Sequence, residues 1–221
     1  MGQDEARAGG DPLDGDPRLP QHFGDAWPTV LRFRDLLQAH GEERGLLGPQ
    51  ESTRLWERHL LNSAALVPFV GQPASIIDLG SGAGLPGVVV AAMCPKASVT
   101  LLEPMDRRVT WLNEVVADLG LANAHVVRGR AEDVIGQLFA DVVVTRAVGP
   151  LKKLYGWAAP LLGDRGRLVA LKGARAADEV LEGQKQARKA GLTTVEVHHA
   201  PTIEGVAPTT VVVARRAEDG D

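Results

Sequence analysis

Asp78, Gly80, Gly82, Gly84 and Gly87 fall within ten consecutive positions of the stretch IIDLGSGAGLPG, and Glu103 follows 25 residues after Asp78. A glycine-rich turn behind a short apolar run lets backbone amides approach a bound nucleoside, and the spacing Gly82-x-Gly84-x-x-Gly87 satisfies a dinucleotide fingerprint. No Lys-Ser or Lys-Thr follows the glycines, so the ammonium and hydroxyl that hold triphosphate and magnesium are missing and a P-loop is excluded. Asp78, at the carboxyl end of the apolar run, would oppose a pyrophosphate but suits a ligand carrying a sulfonium and an α-ammonium group. These electrostatics favour S-adenosylmethionine over a nicotinamide dinucleotide. Glu103 ends the next strand, where it would accept hydrogen bonds from ribose hydroxyls of either cofactor. Each residue alone has a plainer explanation as a tight connection or a helix cap. Together they point to a nucleoside cofactor, with no metal.

Further along, Arg130-Ala131-Glu132-Asp133 follows a third strand, where Ala131 and Glu132 could bond an adenine edge; Glu132 also suits a helix start. After a fourth strand stands Thr145-Arg146-Ala147. Methylation of exocyclic amines calls for Asn or Asp before Pro-Pro and an aromatic residue there, and methylation of pyrimidine C5 calls for a cysteine nucleophile; neither is present. An acceptor with a free lone pair, such as a purine ring nitrogen, needs neither a base nor a covalent adduct, only orientation. Arg146 and Lys172 end strands on the side where open α/β sheets bind ligands, and are the candidate catalytic residues, each with a structural ion pair or a solvated position as its plainer reading. Arg54, Arg58 and His59 share a helix facing RNA or water, and Arg107, Arg108, Lys152 and Lys153 would extend a basic surface. Cys94 reads as a small hydrophobe.

The elements that must place these residues are legible in the hydrophobic pattern. SIIDL, SVTLLE, AHVV, DVVVT, RLVAL, TTVEVHH and TTVVVARR are seven short β-branched runs. Helix-length segments separate the first five, notably MDRRVTWLNEVVADLG with Val109, Leu112, Val115, Val116 and Leu119 on one face. Those strands should be parallel with right-handed crossovers, and the last two, about ten residues apart, should form an antiparallel hairpin. The expected fold is α/β: a Rossmann-like, doubly wound seven-stranded sheet with an antiparallel last strand, by analogy a class I S-adenosylmethionine-dependent methyltransferase. A helical lead-in should occupy residues 26–72, and the main domain residues 73–215.

Residues 1–25, rich in Asp, Gly and Pro, read as a disordered acidic tail, and 216–221 as a second acidic tail. The net charge of −4 hides this asymmetry. Six acids and two basic residues lie in 1–25 and three acids in 217–221, leaving 22 basic against 19 acidic residues in the body. A mildly positive body permits RNA binding without demanding it. No apolar run approaches the length of a membrane span, and the single cysteine excludes an intrachain disulfide, which fits a cytoplasmic protein.

DLGSGAGLPG, GRAED, TRAVGPL and ALKG, with ERHLLNS upstream, resemble the RsmG (GidB) family of ribosomal RNA guanine-N7 methyltransferases from about residue 45 to 214. The resemblance implies S-adenosylmethionine as donor and a guanine of small-subunit (16S) ribosomal RNA as acceptor, naked or in a ribonucleoprotein. It also implies cofactor contacts at Gly80, Leu85, Ala131, Glu132 and Arg146. A monomer is the expected state. Two features depart from the pattern: Asn62 stands where many members carry Asp, and the lead-in lacks their aromatic Trp-Asn-Lys-x-Tyr-Asn-Leu stretch. A methyltransferase for a small molecule or protein, and a non-catalytic nucleotide-binding regulator, are the alternatives.

Overall fold

Seven strands form one sheet in a computed structural model that describes residues 10–49 and 51–216. They are β1 (Ser75–Leu79), β2 (Ser98–Glu103), β3 (Ala124–Arg128), β4 (Ala140–Arg146), β5 (Leu162–Lys172), β6 (Leu192–Ala200) and β7 (Thr209–Arg216), arranged β3-β2-β1-β4-β5-β7-β6. The first five pair in parallel, whereas β7 runs antiparallel to both β5 and β6. All seven expected strands and the reversed last one are therefore present. The order turns around between β1 and β4, and a crevice opens at such a switch point outside the carboxyl ends of the strands.

Successive residues of a strand face opposite sides, so Ile76, Val99, Val142 and Val169 enter one apolar cluster while Ile77, Val143 and Leu168 enter the other. The first face is covered by α1 (Arg18–Phe23), α2 (Trp27–His40), a π-helical turn at Trp56–Leu61, α3 (Asn62–Ala64), α4 (Val67–Val70), α5 (Gly87–Met93) and α6 (Asp106–Asp118). On the second face lie α7 (Leu151–Ala158) and α8 (Ala176–Lys189). Covering both faces explains why the β4 and β7 centres are continuous runs of buried Val. The lead-in helices share the first cluster with the sheet and form a layer of it.

The expectation of disorder over residues 1–25 is corrected for the part described. Leu19 and Phe23 on α1 are buried, and Phe23 lies 6.1 Å from the Trp56 ring. Asp11, itself buried, accepts the backbone N–H of Trp56 at 2.8 Å, and Asp14 accepts the Trp56 indole N–H at 2.9 Å. Composition misleads here because the acids act as acceptors for particular amides and the sparse apolar residues suffice to dock the segment. Residues 1–9 lie outside the described residues. The second acidic tail, 217–221, also lies outside them, and its expected first residue, Arg216, belongs to β7.

Candidate active site

The glycine turn is held from both sides. Its first amides, Gly80 and Ser81, donate to the Leu102 carbonyl at 2.9 and 3.1 Å, tying the turn to β2. Gly80, Gly82 and Gly84 have φ of 73°, 58° and 99°, a region that other residues avoid. On the underside the Trp111 indole N–H donates to the Ala83 carbonyl at 3.0 Å. Gly87 begins α5 so close to the sheet that a Cβ would sit 2.4 Å from Asp78 Oδ2 and 2.4 Å from Leu101 Cδ2.

Above this turn lies a cleft of about 550 Å³. Gly80, Gly82, Leu85, Glu103, Ala131, Glu132 and Arg146 all line it, with Ser81, Ala83, Arg108, Arg130, Ala147, Val148 and Trp157 among their neighbours. Glu103 is buried, accepting the Gly82 N–H at 2.9 Å through Oε2 and the Met105 N–H at 3.0 Å through Oε1. The turn amide that a pyrophosphate would need is thus already facing a carboxylate. Ala131 and Glu132 start a 3-10 turn, Ala131–Val134, capped by the Asp133 carboxylate on the Arg130 N–H at 2.9 Å.

Two expected glycine-loop residues lie elsewhere. Asp78 does not line the cleft: it is fully buried beneath the turn, where its Oδ2 accepts the Gly87 N–H at 3.0 Å. The strand's period of two puts it on the Ile76 face under α5, and so it holds the turn from below and does not face the cleft. Burial pushes its carboxyl up to about 7, and Oδ1 has no hydrogen-bond partner. Gly84 turns toward the core, where a Cβ would meet Val88 at 2.8 Å and Phe33 at 3.1 Å.

A second cavity, about 360 Å³, adjoins the cleft and shares Arg146 and Ala147 with it. Arg58, His59, Asn62, Lys172 and Thr209 are among its other walls. Arg146 is fixed by the π-helical turn, donating to the Arg58 carbonyl at 3.0 Å and to His59 Nδ1 at 2.7 Å. A guanidinium only donates, so Nδ1 is the bare nitrogen and His59 is neutral. Burial and the Arg146 charge lower His59 to about 4. Ala147 next to it has φ 56°, the single non-glycine residue with positive φ among the described residues, and such strain gathers at functional sites. Asn62 bridges the same region, donating to the Arg58 carbonyl at 2.9 Å and accepting the Thr209 hydroxyl.

Lys172 is not the free cation expected at the acceptor side. Its Nζ donates to the Gly149 carbonyl at 3.0 Å and pairs with Glu179 Oε2 at 2.7 Å, and that carboxylate oxygen also accepts the Leu151 N–H at 2.9 Å. The first turn of α8 supplies the carboxylate, a long-range partner that strand-end position does not reveal. Sequence reasoning also passed over Val148 and Trp157 as walls, because both look like ordinary core residues.

Residues 27–204 match the family GidB, rRNA small subunit methyltransferase G. The chain belongs to the GidB family. Among its GidB relatives, one from Thermobifida fusca named "Ribosomal RNA small subunit methyltransferase G" is 54% identical over 74% of this chain and 69% of its own. Another of the same name, from Kineococcus radiotolerans, is 49% identical over 87% of this chain and 77% of its own. The fold also occurs in the apo S-adenosylmethionine-dependent methyltransferase SibL, with a TM-score of 0.59 at 17% identity over 90% of this chain and 77% of that one. M. jannaschii TYW2, solved in complex with AdoMet, aligns with a TM-score of 0.55 at 20% identity over 70% of this chain and 73% of its own. The GidB match spans the turn, the 3-10 turn at Ala131 and the Arg146 strand end, so it covers the whole lining of the first cavity and all of the second except Thr209.

Proposed function

We propose that this chain transfers a methyl group from S-adenosylmethionine to N7 of a guanine in 16S ribosomal RNA. The observation that carries the reading is the pair of joined cavities divided by Arg146, one walled by the glycine turn and Glu103, the other by Arg58, His59, Asn62, Lys172 and Thr209 together with the carboxylates of Glu51 and Glu179. Bound in the first cavity, the cofactor supplies a methyl group on a sulfonium. Glu103 would accept ribose hydroxyls, and Ala131 and Glu132 would border the adenine. The Gly82 N–H already bonded to Glu103 disfavours a pyrophosphate in the same place.

Guanine N7 carries a lone pair and no proton at neutral pH. Attack therefore needs no general base, and the rate gain would come from orientation. The new N–C bond forms as the S–C bond breaks, and the positive charge passes from sulfur to the purine. A cation facing the ring would oppose that charge, which suits an Arg146 whose guanidinium is already engaged by His59 and the Arg58 carbonyl. Among the described residues no helix is long and apolar enough to cross a membrane.

Labelled donor and small-subunit RNA from cells lacking the gene test the reading, with borohydride and aniline cleavage to locate N7-methylguanine. Enzyme-dependent cleavage at one site is expected. A methyl group found instead on an exocyclic amine or a ribose, without cleavage, overturns the N7 assignment and the base-free chemistry. Transfer to a protein or small molecule but not to RNA would favour the alternative acceptors.

A further inference from the structure

The helices α7 and α8 enclose a third cavity, about 440 Å³, on the sheet face opposite the lead-in. Lys152, Lys189 and Arg216 line it with Gln186 and Ala159, and no carboxylate does. Arg216 is partly buried: its Nη2 donates to the Ala159 carbonyl at 2.7 Å, and its buried Nε has no partner. Lys152 and Lys189 are exposed, and neither makes an ion pair among the described residues. The acids of α8 are engaged elsewhere, Glu179 with Lys172 and both Asp178 and Glu182 with Arg175. Nothing described in the protein therefore neutralises this groove.

Its position gives the positive charge a use. Lys152 is the second residue of α7, directly after the segment 147–150 that begins at the wall of the acceptor-side cavity. From there the groove follows the helix toward Lys189 and Arg216. The eight residues of α7 rise about 12 Å, enough to face about three phosphates of one strand. We propose that the α7–α8 groove binds backbone phosphodiesters of the substrate RNA beyond the reacting nucleotide, an inference that rests on the RNA acceptor argued above. The contact is independent of base identity and steers the strand, in the way that backbone cations fix register without specifying sequence.

The full-length double variant Lys152→Ala/Lys189→Ala tests it, because both side chains are exposed and neither borders the donor cleft or the acceptor cavity. RNA affinity is measured against salt, with donor affinity and single-turnover transfer at saturating RNA alongside. The slope of log affinity against log salt should become shallower by about 1.5, two lost phosphate contacts, with the other two readouts unchanged. Lys96→Ala/Arg165→Ala removes the same charge at exposed residues that line none of the three cavities and should leave the slope near that of the unaltered chain. An unchanged slope in the groove variant, or an equal loss in the control, overturns the proposal. If the unaltered chain binds RNA with a groove-dependent slope yet transfers no methyl group to it, the functional reading fails and the groove stands. If it methylates RNA and the groove variant keeps the full slope, the groove fails alone.

Discussion

Asp78 stands one residue before the end of β1 and Glu103 ends β2, yet only Glu103 lines the cleft, and the difference lies in what each carboxylate meets. Glu103 binds amides at the rim of the turn, whereas Asp78 is covered by α5 with Gly87 pressed against it. The pairing of a glycine turn with a later acid was legible in spacing; which acid faces the ligand depends on packing depth, which spacing does not encode. Asp78 titrates near 7 against 3.8 for the free group, so the folded chain binds the extra proton across that window. Its contribution to stability is greatest below about pH 4, falls as pH rises toward 7 and is flat beyond. Asp78→Asn, which keeps an acceptor for the Gly87 N–H, should gain melting temperature relative to the unaltered chain as pH rises from 4 to 7. A constant difference across that range would contradict a buried, raised carboxyl. Gly87→Ala should destabilise by roughly 1–3 kcal/mol or more from overpacking, whereas Gly82→Val, in the more open cleft but strained at φ 58°, should abolish donor binding at a backbone cost of about 1–3 kcal/mol that leaves the chain folded. Calorimetry with S-adenosylhomocysteine and thermal melts separate the two effects.

Between elements, the connections that matter most are long-range ties that leave little trace in the sequence. Seven strands and α6 could be read from periodicity because burial on two faces demands runs of Val, Ile and Leu. Trp111 looked like one more residue of a helix, but its indole also holds the Ala83 carbonyl of the glycine turn. Similarly, the π-helical turn breaks the 3.6 period exactly where Arg58 and His59 take hold of Arg146, and a local register change of this kind is common at functional sites. Lys172 illustrates what such a tie implies for catalysis. It joins β5 to the Gly149 carbonyl and to α8 through Glu179, and so braces the segment carrying Ala147. Lys172→Ala and Glu179→Gln should each lower single-turnover transfer by about tenfold, with the salt dependence of RNA binding unchanged. A phosphate-binding Lys172 would behave differently: its loss would make the salt slope shallower by about one contact, and Glu179→Gln would strengthen RNA binding by freeing the ammonium.

On the scale of the whole chain, the N-terminal segment decides whether the lead-in layer is stable. The segment's acids looked like a solvating tail, but within residues 10–25 Asp11 and Asp14 fasten Trp56, and Leu19 and Phe23 cover the aromatic cluster of Trp27 and Trp56. Trp56 opens the π-helical turn that fixes Arg146, so the contact chain runs from the N-terminal segment through the lead-in to the wall between the two cavities. Deleting residues 1–25 removes two fully buried apolar side chains, worth about 1.5–3 kcal/mol each, and strands the Trp56 N–H, worth about 1–3 kcal/mol more. Against a total stability of about 5–15 kcal/mol that is a large loss, and at 2–4 °C per kcal/mol the melting temperature should fall by at least about 8 °C. Transfer activity should fall with it even below the melting transition, because a loosened Trp56 turn no longer holds the Arg146 guanidinium in place. Removing only residues 1–9 is the control, since Asp11 and α1 remain. Equal melting temperatures and equal single-turnover rates for the two truncations would show that residues 10–25 carry no load and that the lead-in holds Arg146 unaided.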